Sequence, residues 1–229
     1  EQCVFTTHTP VEAGHDQFDY GLAERVIGDL LPIDQIRRLT GGDSFNMTQL
    51  ALSLSGFVNG VAERHAETAR SMYPALPIRA VSNGVHVASW VHPAKAKLLD
   101  QISPRWRHEP EDLVNADQIQ DGDLQEAHRT AKSDLLEHIE QRTGVWLEQE
   151  LPLVAFARRM TGYKRPDLLF NDMDRLREIV REQPFQLVMA GKAHPSDRAG
   201  QDMIRKLHHD LRALSDCLPA VFLADYDMW

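Results

Sequence analysis

The sequence predicts an α/β protein whose last third builds a parallel sheet. Three short apolar runs, LPLVAFA at 151–157, FQLVMAG at 185–191 and AVFLA at 220–224, have the length and composition of buried strands. Two segments with apolar residues at helical spacing separate these runs. Strands that alternate with helices of this length form right-handed βαβ units. We therefore predict the start of a Rossmann-like half over residues 151–229, as far as its third strand.

Each of the two predicted helices in this part has one apolar face. Pro166 lies where the first turn of a helix tolerates proline, so we expect the first helix to begin there and to direct its positive dipole end at the preceding loop. The apolar positions are Leu168, Leu169, Met173, Leu176, Ile179 and Val180 in the first helix, and Met203, Ile204, Leu207, Leu211 and Leu214 in the second.

The first 150 residues are more mixed. CVFTT at 3–7 indicates a strand, and the apolar spacing over 46–72 predicts one long helical segment. IRAVSNGVHVASW at 78–90 predicts a strand, an Asn-Gly turn and a loop. Prolines and charged helical stretches such as LQEAHRTAKSDLLEHIEQ indicate that 93–150 connects two domains.

Composition argues against several classes of function. The formal net charge of −9 disfavours nucleic-acid binding, and no stretch approaches the roughly 20 apolar residues that a membrane helix needs. Cys3 and Cys217 lack partners at metal-ligand spacing, so we expect a reducing, cytoplasmic location, with neither a disulfide framework nor a bound metal. Residues 1–150 hold 13 Lys+Arg against 23 Asp+Glu, whereas 151–229 hold 12 against 11. A local positive field is therefore easier to maintain in the last third.

A basic loop, FARRMTGYKRPDLLF at 156–170, follows the first strand of that third. A second loop, GKAHPSD at 191–197, follows the next strand. Ligands of open parallel sheets bind at the carboxyl ends of the strands, so both loops should meet at one edge and form a phosphate site. The alternative is an ordinary solvated basic face, and the glycine spacing of a P-loop or of GxGxxG is absent. The residues that would converge are Arg158, Arg159, Lys164, Arg165, Lys192 and His194.

Three histidines in the first part are candidate site residues, His8, His15 and His65. His8 and His15 follow the first strand, but a lone histidine is more often structural than catalytic, and no third ligand at a useful spacing indicates a metal. His65 lies near the end of an amphipathic pattern, which predicts a surface or interface residue.

Six segments, taken together, resemble one family. Their order along the chain and their residues are similar to those of the α-glucan (glycogen, starch or maltodextrin) phosphorylases, and are most similar to those of the compact bacterial and archaeal branch. The segments spread over nearly the whole chain, which makes their combination far more specific than any one of them. They are FTTHTPVEAGHDQF, FNMTQLALSLSGFVNGVAERH, VSNGVHVASW, FARRMTGYKRPDLLF, AGKAHPSD and FLADYDM.

This resemblance implies the GT-B architecture, in which two Rossmann-like domains face a cleft. It implies a retaining enzyme that cleaves the terminal α-1,4-linked glucose of a glucan with inorganic phosphate and gives glucose 1-phosphate. It also implies pyridoxal 5′-phosphate, whose phosphate group rather than its ring takes part in proton exchange with the substrate phosphate. Two neighbouring phosphates repel each other, so such a site needs a dense cluster of cations.

By motif position, the resemblance assigns Arg159 and Lys164 to the substrate and cofactor phosphates, and His8 to the transferred glucose. Lys192 is expected beside the cleft as a further cofactor contact, whereas Arg158 and Arg165 would be structural partners. The expected parts are residues 1–92, the end of the N-terminal domain; 93–150, a helical connection; and 151–229, the start of the C-terminal domain.

Two family segments are not in this sequence: the glycine-rich segment before FTTHTP and the downstream segment with the lysine that bonds the cofactor. We therefore expect the chain to be inactive alone, as the middle of a longer enzyme. Two alternatives stay open, namely a nucleotide-sugar glucosyltransferase of GT-B type, such as a glycogen synthase, and a noncatalytic phosphate- or glucan-binding module.

Overall fold

The computed structural model describes residues 3–9, 11, 14–30 and 32–224 and is a mixed α/β structure with parallel sheets. It divides into two compact units, Glu1–Val85 and His86–Trp229. The predicted connection over 93–150 thus falls within the second unit, and the three-part division of the chain stays a prediction.

The strands of the first unit form a parallel sheet and a short antiparallel pair. β1 pairs in parallel with β4, and β4 pairs in parallel with β5, so the sheet order is β1-β4-β5. The strand predicted at CVFTT is confirmed as β1. β2 pairs with β3 in antiparallel register. The strands are β1 (Val4–Thr7), β2 (Gln17–Phe18), β3 (Phe45–Asn46), β4 (Phe57–Gly60) and β5 (Arg79–Ala80).

The described residues of the first unit also form α1 (Tyr20–Ile27), a 3₁₀ turn at Gly28–Leu30, α2 (Ile33–Thr40), α3 (Met47–Leu54) and α4 (Glu63–Met72). The side chains of Asp19 and Asn46 accept backbone N–H groups of the first turns of α1 and α3, which are otherwise without partners. One core cluster joins α3 and α4 to the parallel sheet, and a second joins α1 and α2 to β3.

The single helical segment predicted over 46–72 is wrong, because β4 interrupts it between α3 and α4. The apolar residues of β4 happen to continue the helical spacing, but parallel pairing with β1 decides the conformation. The backbone N–H of Gly56 donates to the carbonyl of Cys3 at 3.0 Å, and Val58 is buried. Gly60 then lets the chain turn closely against α4, since a Cβ there would lie 3.0 Å from the nitrogen of Ala66.

The segment predicted at 78–90 contains the expected strand, β5, but no Asn-Gly turn forms, and a short helix takes the place of the predicted loop. The backbone N–H of Asn83 instead donates to the carbonyl of Val61 at 3.1 Å.

The second unit begins with helices. They are α5 (Val87–Trp90), α6 (Pro93–Ile102), a 3₁₀ segment at Pro110–Gln118 and α7 (Asp121–Thr143).

The predicted parallel sheet of the last third is confirmed. All its strands are parallel in the order β6-β7-β8, and every residue of β7 is buried. The remaining elements are β6 (Leu153–Ala157), 3₁₀ turns at Gly162–Lys164 and Leu168–Phe170, α8 (Met173–Glu182), β7 (Gln186–Ala190), α9 (Arg198–Ala213) and β8 (Ala220–Leu223).

Helices cover both faces of this sheet. On one face, Leu187 and Met189 of β7 pack against the apolar sides of α8 and α9. On the other face, Val188 packs with Leu136 and Ile139 of α7. The alternation along β7 therefore produces a three-layer arrangement, as expected for a buried parallel sheet.

Candidate functional site

The basic loop and the loop after β7 run side by side at the carboxyl edge of the second sheet. The backbone N–H of Arg158 donates to the carbonyl of Ala190 at 3.1 Å. Two residues further, Met160 N–H donates to the carbonyl of Lys192 at 3.3 Å. The pairing of β6 with β7 thus continues past both strands, and it brings the backbones of the two predicted loops together.

Gly191 makes this close approach possible. A Cβ at this position would lie 2.2 Å from the carbonyl oxygen of Arg158 and 2.8 Å from Cε of Met160. Met160 is fully buried and belongs to the core that α8 and α9 form against the sheet. Met160 therefore holds the loop against the core, while Arg158 and Arg159 before it remain exposed.

The cations of the basic loop have no anionic partner within the described part of the chain. Several arginines elsewhere in the second unit are paired, for example Arg105 with Glu109 at 2.6 Å and Arg107 with Asp100 at 2.9 Å. The side chains of Arg158, Arg159, Lys164 and Arg165 make no hydrogen bond or ion pair with another described residue. This loop therefore concentrates positive charge that an external anion can neutralise.

Lys164 is the least exposed of these four cations. It is half-buried, and its Nζ lies 4.7 Å above the centroid of the neighbouring Tyr163 ring. Arg165, which follows it, has a positive φ of 52°, which is uncommon for a residue with a side chain. The chain therefore turns sharply between the cations and Pro166.

The predicted helix start at Pro166 is wrong. The left-handed Arg165 and the 3₁₀ turn at Leu168–Phe170 delay the helix until Met173, where Asp172 caps α8 by accepting the backbone N–H of Arg175 at 2.9 Å. The dipole of α8 therefore does not begin at the basic loop.

A different helix end lies against the loop. A Cβ on Gly200, in the first turn of α9, would come within 2.6 Å of the carbonyl oxygen of Met160. The side chain of Asp197 caps α9 by accepting the N–H of Gly200 at 2.9 Å. The sequence pattern did not predict this contact, although Gly191 and Gly200 on either side of the second loop are a signal of close packing.

The second loop contributes His194 and Lys192. His194 is exposed, and its Nδ1 lies 2.6 Å from the hydroxyl of Ser196, with which it forms a local turn. Lys192 is exposed as well, and its backbone carbonyl receives the Met160 N–H. The structure brings their backbones beside the basic loop; the roles of their side chains stay predictions.

Thr161 is a polar residue of this loop that sequence reasoning missed. Its hydroxyl oxygen is shielded from solvent, and no hydrogen-bond partner for it lies among the residues that the structure describes. A buried hydroxyl normally has a partner. Threonine is too common in loops for the sequence to have distinguished it.

The first unit holds the other predicted site residue. His8 directly follows β1 at the carboxyl edge of its sheet and is exposed. Beneath it, the hydroxyl of Thr6 donates to Oδ1 of Asn59 at 3.0 Å, and Asn59 in turn donates to the carbonyl of Gly60. This network fixes the ends of β1 and β4. Residues 10, 12 and 13 of the same motif lie outside the described residues, as do 225–228 of the last one.

The remaining two histidines are more buried. Nδ1 of His15 is 2.8 Å from the hydroxyl of Thr48, and its ring meets Tyr73 edge-on with centroids 6.0 Å apart. His65, for which a surface or interface position was predicted, is half-buried, and both of its ring nitrogens are shielded from solvent beside Gly60. The missing side chain of Gly60 leaves room for this ring against the end of β4.

Within the described residues, no group of three His, Cys, Asp or Glu side chains could hold a metal ion. Nor do the helices found there include one long and apolar enough to cross a membrane.

Comparison with known proteins matches nearly the whole chain to one family. A family model described as carbohydrate phosphorylase matches residues 12–228. The chain is 36% identical to a maltodextrin phosphorylase of Thermococcus litoralis, over 90% of this chain and 28% of that protein. It is 32% identical to a glycogen phosphorylase of Aquifex aeolicus, over 98% of this chain and 38% of that protein. A glycogen phosphorylase of Mycobacterium tuberculosis is 31% identical over 98% of this chain and 31% of its own length. The chain therefore spans about a third of the length of these relatives.

Proposed function

Because this chain belongs to the carbohydrate phosphorylase family, we propose that it is part of an α-glucan phosphorylase. The intact enzyme would cleave the terminal α-1,4-linked glucose of a glycogen or maltodextrin chain with inorganic phosphate and release glucose 1-phosphate. The observation that carries this proposal is the group of unpaired cations in the basic loop, beside the loop that follows β7.

Arg159 and Lys164 are proposed to hold the reacting phosphate. Guanidinium and ammonium groups form charge-assisted hydrogen bonds to phosphate oxygens, and these bonds are stronger than neutral ones. A phosphate that gains negative charge during transfer is stabilised by cations that are already in position. Two observations support this proposal. The side chain of Arg159 is exposed, so a phosphate can reach it. Lys164 is half-buried, and partial exclusion of water strengthens the attraction between its ammonium group and a phosphate.

The same cations fit the phosphate group of pyridoxal 5′-phosphate, which we propose as the cofactor of the intact enzyme. Arg159, Lys164 and Lys192 would hold that group beside the substrate phosphate. When bound, its phosphate group would supply acid–base chemistry to the substrate phosphate. Two such anions repel by several kcal/mol at close range, and the excess of cations at this edge offsets the repulsion. The lysine that bonds the cofactor is proposed to lie outside this chain.

His8 is proposed to contact the glucose that is transferred. It stands at the carboxyl edge of a parallel sheet, which is the edge where ligands bind in open α/β folds. We propose further that the two units are parts of the Rossmann-like domains of a GT-B fold. In that division, residues 1–92 end the N-terminal domain, 93–150 connect the domains and 151–229 begin the C-terminal domain.

The proposal can be tested with the intact parent protein and the variant Arg159→Ala. Loss of one charge-assisted hydrogen bond, about 1.5–3 kcal/mol, should raise the phosphate concentration for half-maximal rate roughly 10- to 100-fold. The KM for the glucan should change little. Arg181→Ala is the matched control, because Arg181 is an exposed arginine in the last turn of α8, away from the loop. Equal losses for phosphate and glucan would indicate that Arg159 supports folding instead.

A second experiment separates the alternatives. The parent should release glucose 1-phosphate from maltodextrin only when both inorganic phosphate and pyridoxal phosphate are present. Activity that survives removal of the cofactor, or that requires a nucleotide sugar, contradicts the proposal. Binding of phosphate or glucan without any turnover by the parent would favour a noncatalytic module.

A further inference from the structure

The hydroxyl of Thr161 is a polar group of the basic loop that the proposed function does not use. Its oxygen is shielded from solvent and meets no hydrogen-bond partner among the residues that the structure describes. The backbone of the same residue is engaged, because its N–H donates to the carbonyl of Arg159 at 3.0 Å and its carbonyl accepts the N–H of Lys164 at 3.0 Å. Thr161 is therefore bonded through its backbone to both residues that are proposed to hold phosphate.

The hydroxyl also leaves its ordinary local role unfilled. Thr161 is the N-cap of the 3₁₀ turn at Gly162–Lys164, with an extended backbone (φ −127°, ψ 147°). A threonine in such a position commonly accepts a backbone N–H of the turn that follows it, yet no side-chain cap bond forms here. A buried hydroxyl without a bond destabilises the fold, so its presence in the loop needs an explanation.

The hydroxyl can reach solvent by a movement of the side chain alone. Thr161 as a residue is half-buried, although its hydroxyl oxygen is fully shielded, so the part that water contacts is not the hydroxyl. Rotation about χ1 moves the hydroxyl of a threonine between staggered positions. The neighbouring surface is open, because Gly162 is exposed and a Cβ there would meet no atom within 4 Å.

We propose that Thr161 is a third phosphate-binding residue of this loop. When an anion binds between Arg159 and Lys164, the side chain of Thr161 turns about χ1, and its hydroxyl donates a hydrogen bond to a phosphate oxygen. The inference rests on the proposed function, because it requires a phosphate site at the basic loop. It adds to that site a neutral donor, whose bond to an anionic oxygen is short and directional.

The exchange of states favours binding. In the free protein the hydroxyl is buried and unpaired among the described residues, which costs free energy. In the bound state it has a charged acceptor, and a hydrogen bond to a charged group is stronger than one between neutral groups. Removal of the unpaired state therefore adds to the affinity for phosphate, at the expense of stability in its absence.

A packing defect is the alternative explanation for the buried hydroxyl. In that case the group stays buried in every state, and phosphate binding does not depend on it. Both explanations predict that Thr161→Val, which replaces the hydroxyl by a methyl group, stabilises the free chain. They differ in the effect of this variant on phosphate.

The test combines thermal unfolding of the 229-residue chain with phosphate kinetics of the parent enzyme. Thr161→Val should raise the Tm by roughly 2–6 °C, because an unpaired buried group is lost. The same variant should raise the KM for inorganic phosphate roughly 10- to 100-fold, because a hydrogen bond to a charged group is lost. The KM for the glucan should change little.

Two further variants serve as rescue and control. Thr161→Ser keeps the hydroxyl, so its KM for phosphate should stay close to that of the wild type. Thr130→Val is the matched control, because Thr130 is an exposed residue of α7 whose hydroxyl already donates to the carbonyl of Glu126 at 3.1 Å. This change should raise neither the Tm nor the KM for phosphate.

Each other outcome overturns the inference. A Thr161→Val variant with a higher Tm and an unchanged KM for phosphate indicates the packing defect, and one with a lower Tm indicates that the hydroxyl has a structural partner. Equal losses for Thr161→Val and Thr161→Ser would assign the effect to the methyl group. If Arg159→Ala raises the KM for phosphate and Thr161→Val does not, the proposed function stands and this inference fails. If neither variant raises it, both fail.

Discussion

Gly191→Ala should disrupt the edge of the sheet that holds the candidate anion site. The added Cβ would stand 2.2 Å from the carbonyl oxygen of Arg158 and 3.3 Å from its carbonyl carbon. Ordinary contacts of a Cβ with such atoms begin near 3.4 Å, so the two backbones would have to separate by about 1 Å. Both are tied together by hydrogen bonds, and neither is the end of a flexible side chain. Overpacking of this kind costs about 1–3 kcal/mol.

The assay is thermal unfolding of the 229-residue chain, in which 1 kcal/mol corresponds to about 2–4 °C for a protein of this size. We expect Gly191→Ala to lower the Tm by roughly 3–10 °C. Gly162→Ala is the matched control in the same edge, because a Cβ at Gly162 meets no atom within 4 Å and its φ is not positive. A Tm for Gly191→Ala within about 1 °C of the control would refute the packing argument, since the two variants add the same methyl group.

Three other changes follow from single contacts. Gln186→Leu removes a fully buried side chain that bonds both the N–H and the carbonyl of Glu148, so urea unfolding should show a loss of about 2–3 kcal/mol; a loss under about 0.5 kcal/mol would contradict this reading. The hydrogen bond from Arg107 lowers the pKa of Asp100, so its carboxylate stabilises the fold above the ordinary aspartate pKa of about 3.9 and loses this effect as pH falls through the lower folded-state pKa. The Tm difference between wild type and Asp100→Asn should therefore close below about pH 4, and a difference that widens there would contradict the sign. Asp172→Ala removes the cap of α8 and should cost about 1 kcal/mol in the same urea assay, whereas Asp172→Asn should cost much less; equal losses would point to charge rather than capping.

The second sheet could be predicted from sequence because its strands are continuous apolar runs. LVAFA and QLVMA are too short for helices in a chain of this kind, and the helical faces between them leave one topology. The prediction of one long helical segment over 46–72 was wrong because the apolar pattern there is ambiguous. The residues of β4 sit at positions that also satisfy helical spacing, and only pairing with β1, more than 50 residues away, distinguishes the two. Such a contact leaves no local signal.

The candidate site was predictable in position but not in geometry. Cations after a strand indicated the edge of the sheet, and the backbone contacts of Arg158 and Met160 agree with that. The start of α8 was missed because Arg165 takes a left-handed conformation that its sequence does not announce. The close approach of α9 to the basic loop requires that Gly200 has no Cβ. The spacing of apolar residues, from which the helix was predicted, carries no information about such a contact.

The hydrogen bonds that continue beyond β6 and β7 have a thermodynamic consequence for ligand capture. Because Arg158 and Met160 are already bonded to the neighbouring loop, the backbone there gives up little conformational entropy when an anion arrives. The entropic cost is confined to rotamers of the long basic side chains, up to about 2 kcal/mol for each one that becomes fixed. The unfavourable ordering term of phosphate binding should therefore grow with the number of basic side chains engaged rather than with the length of the loop.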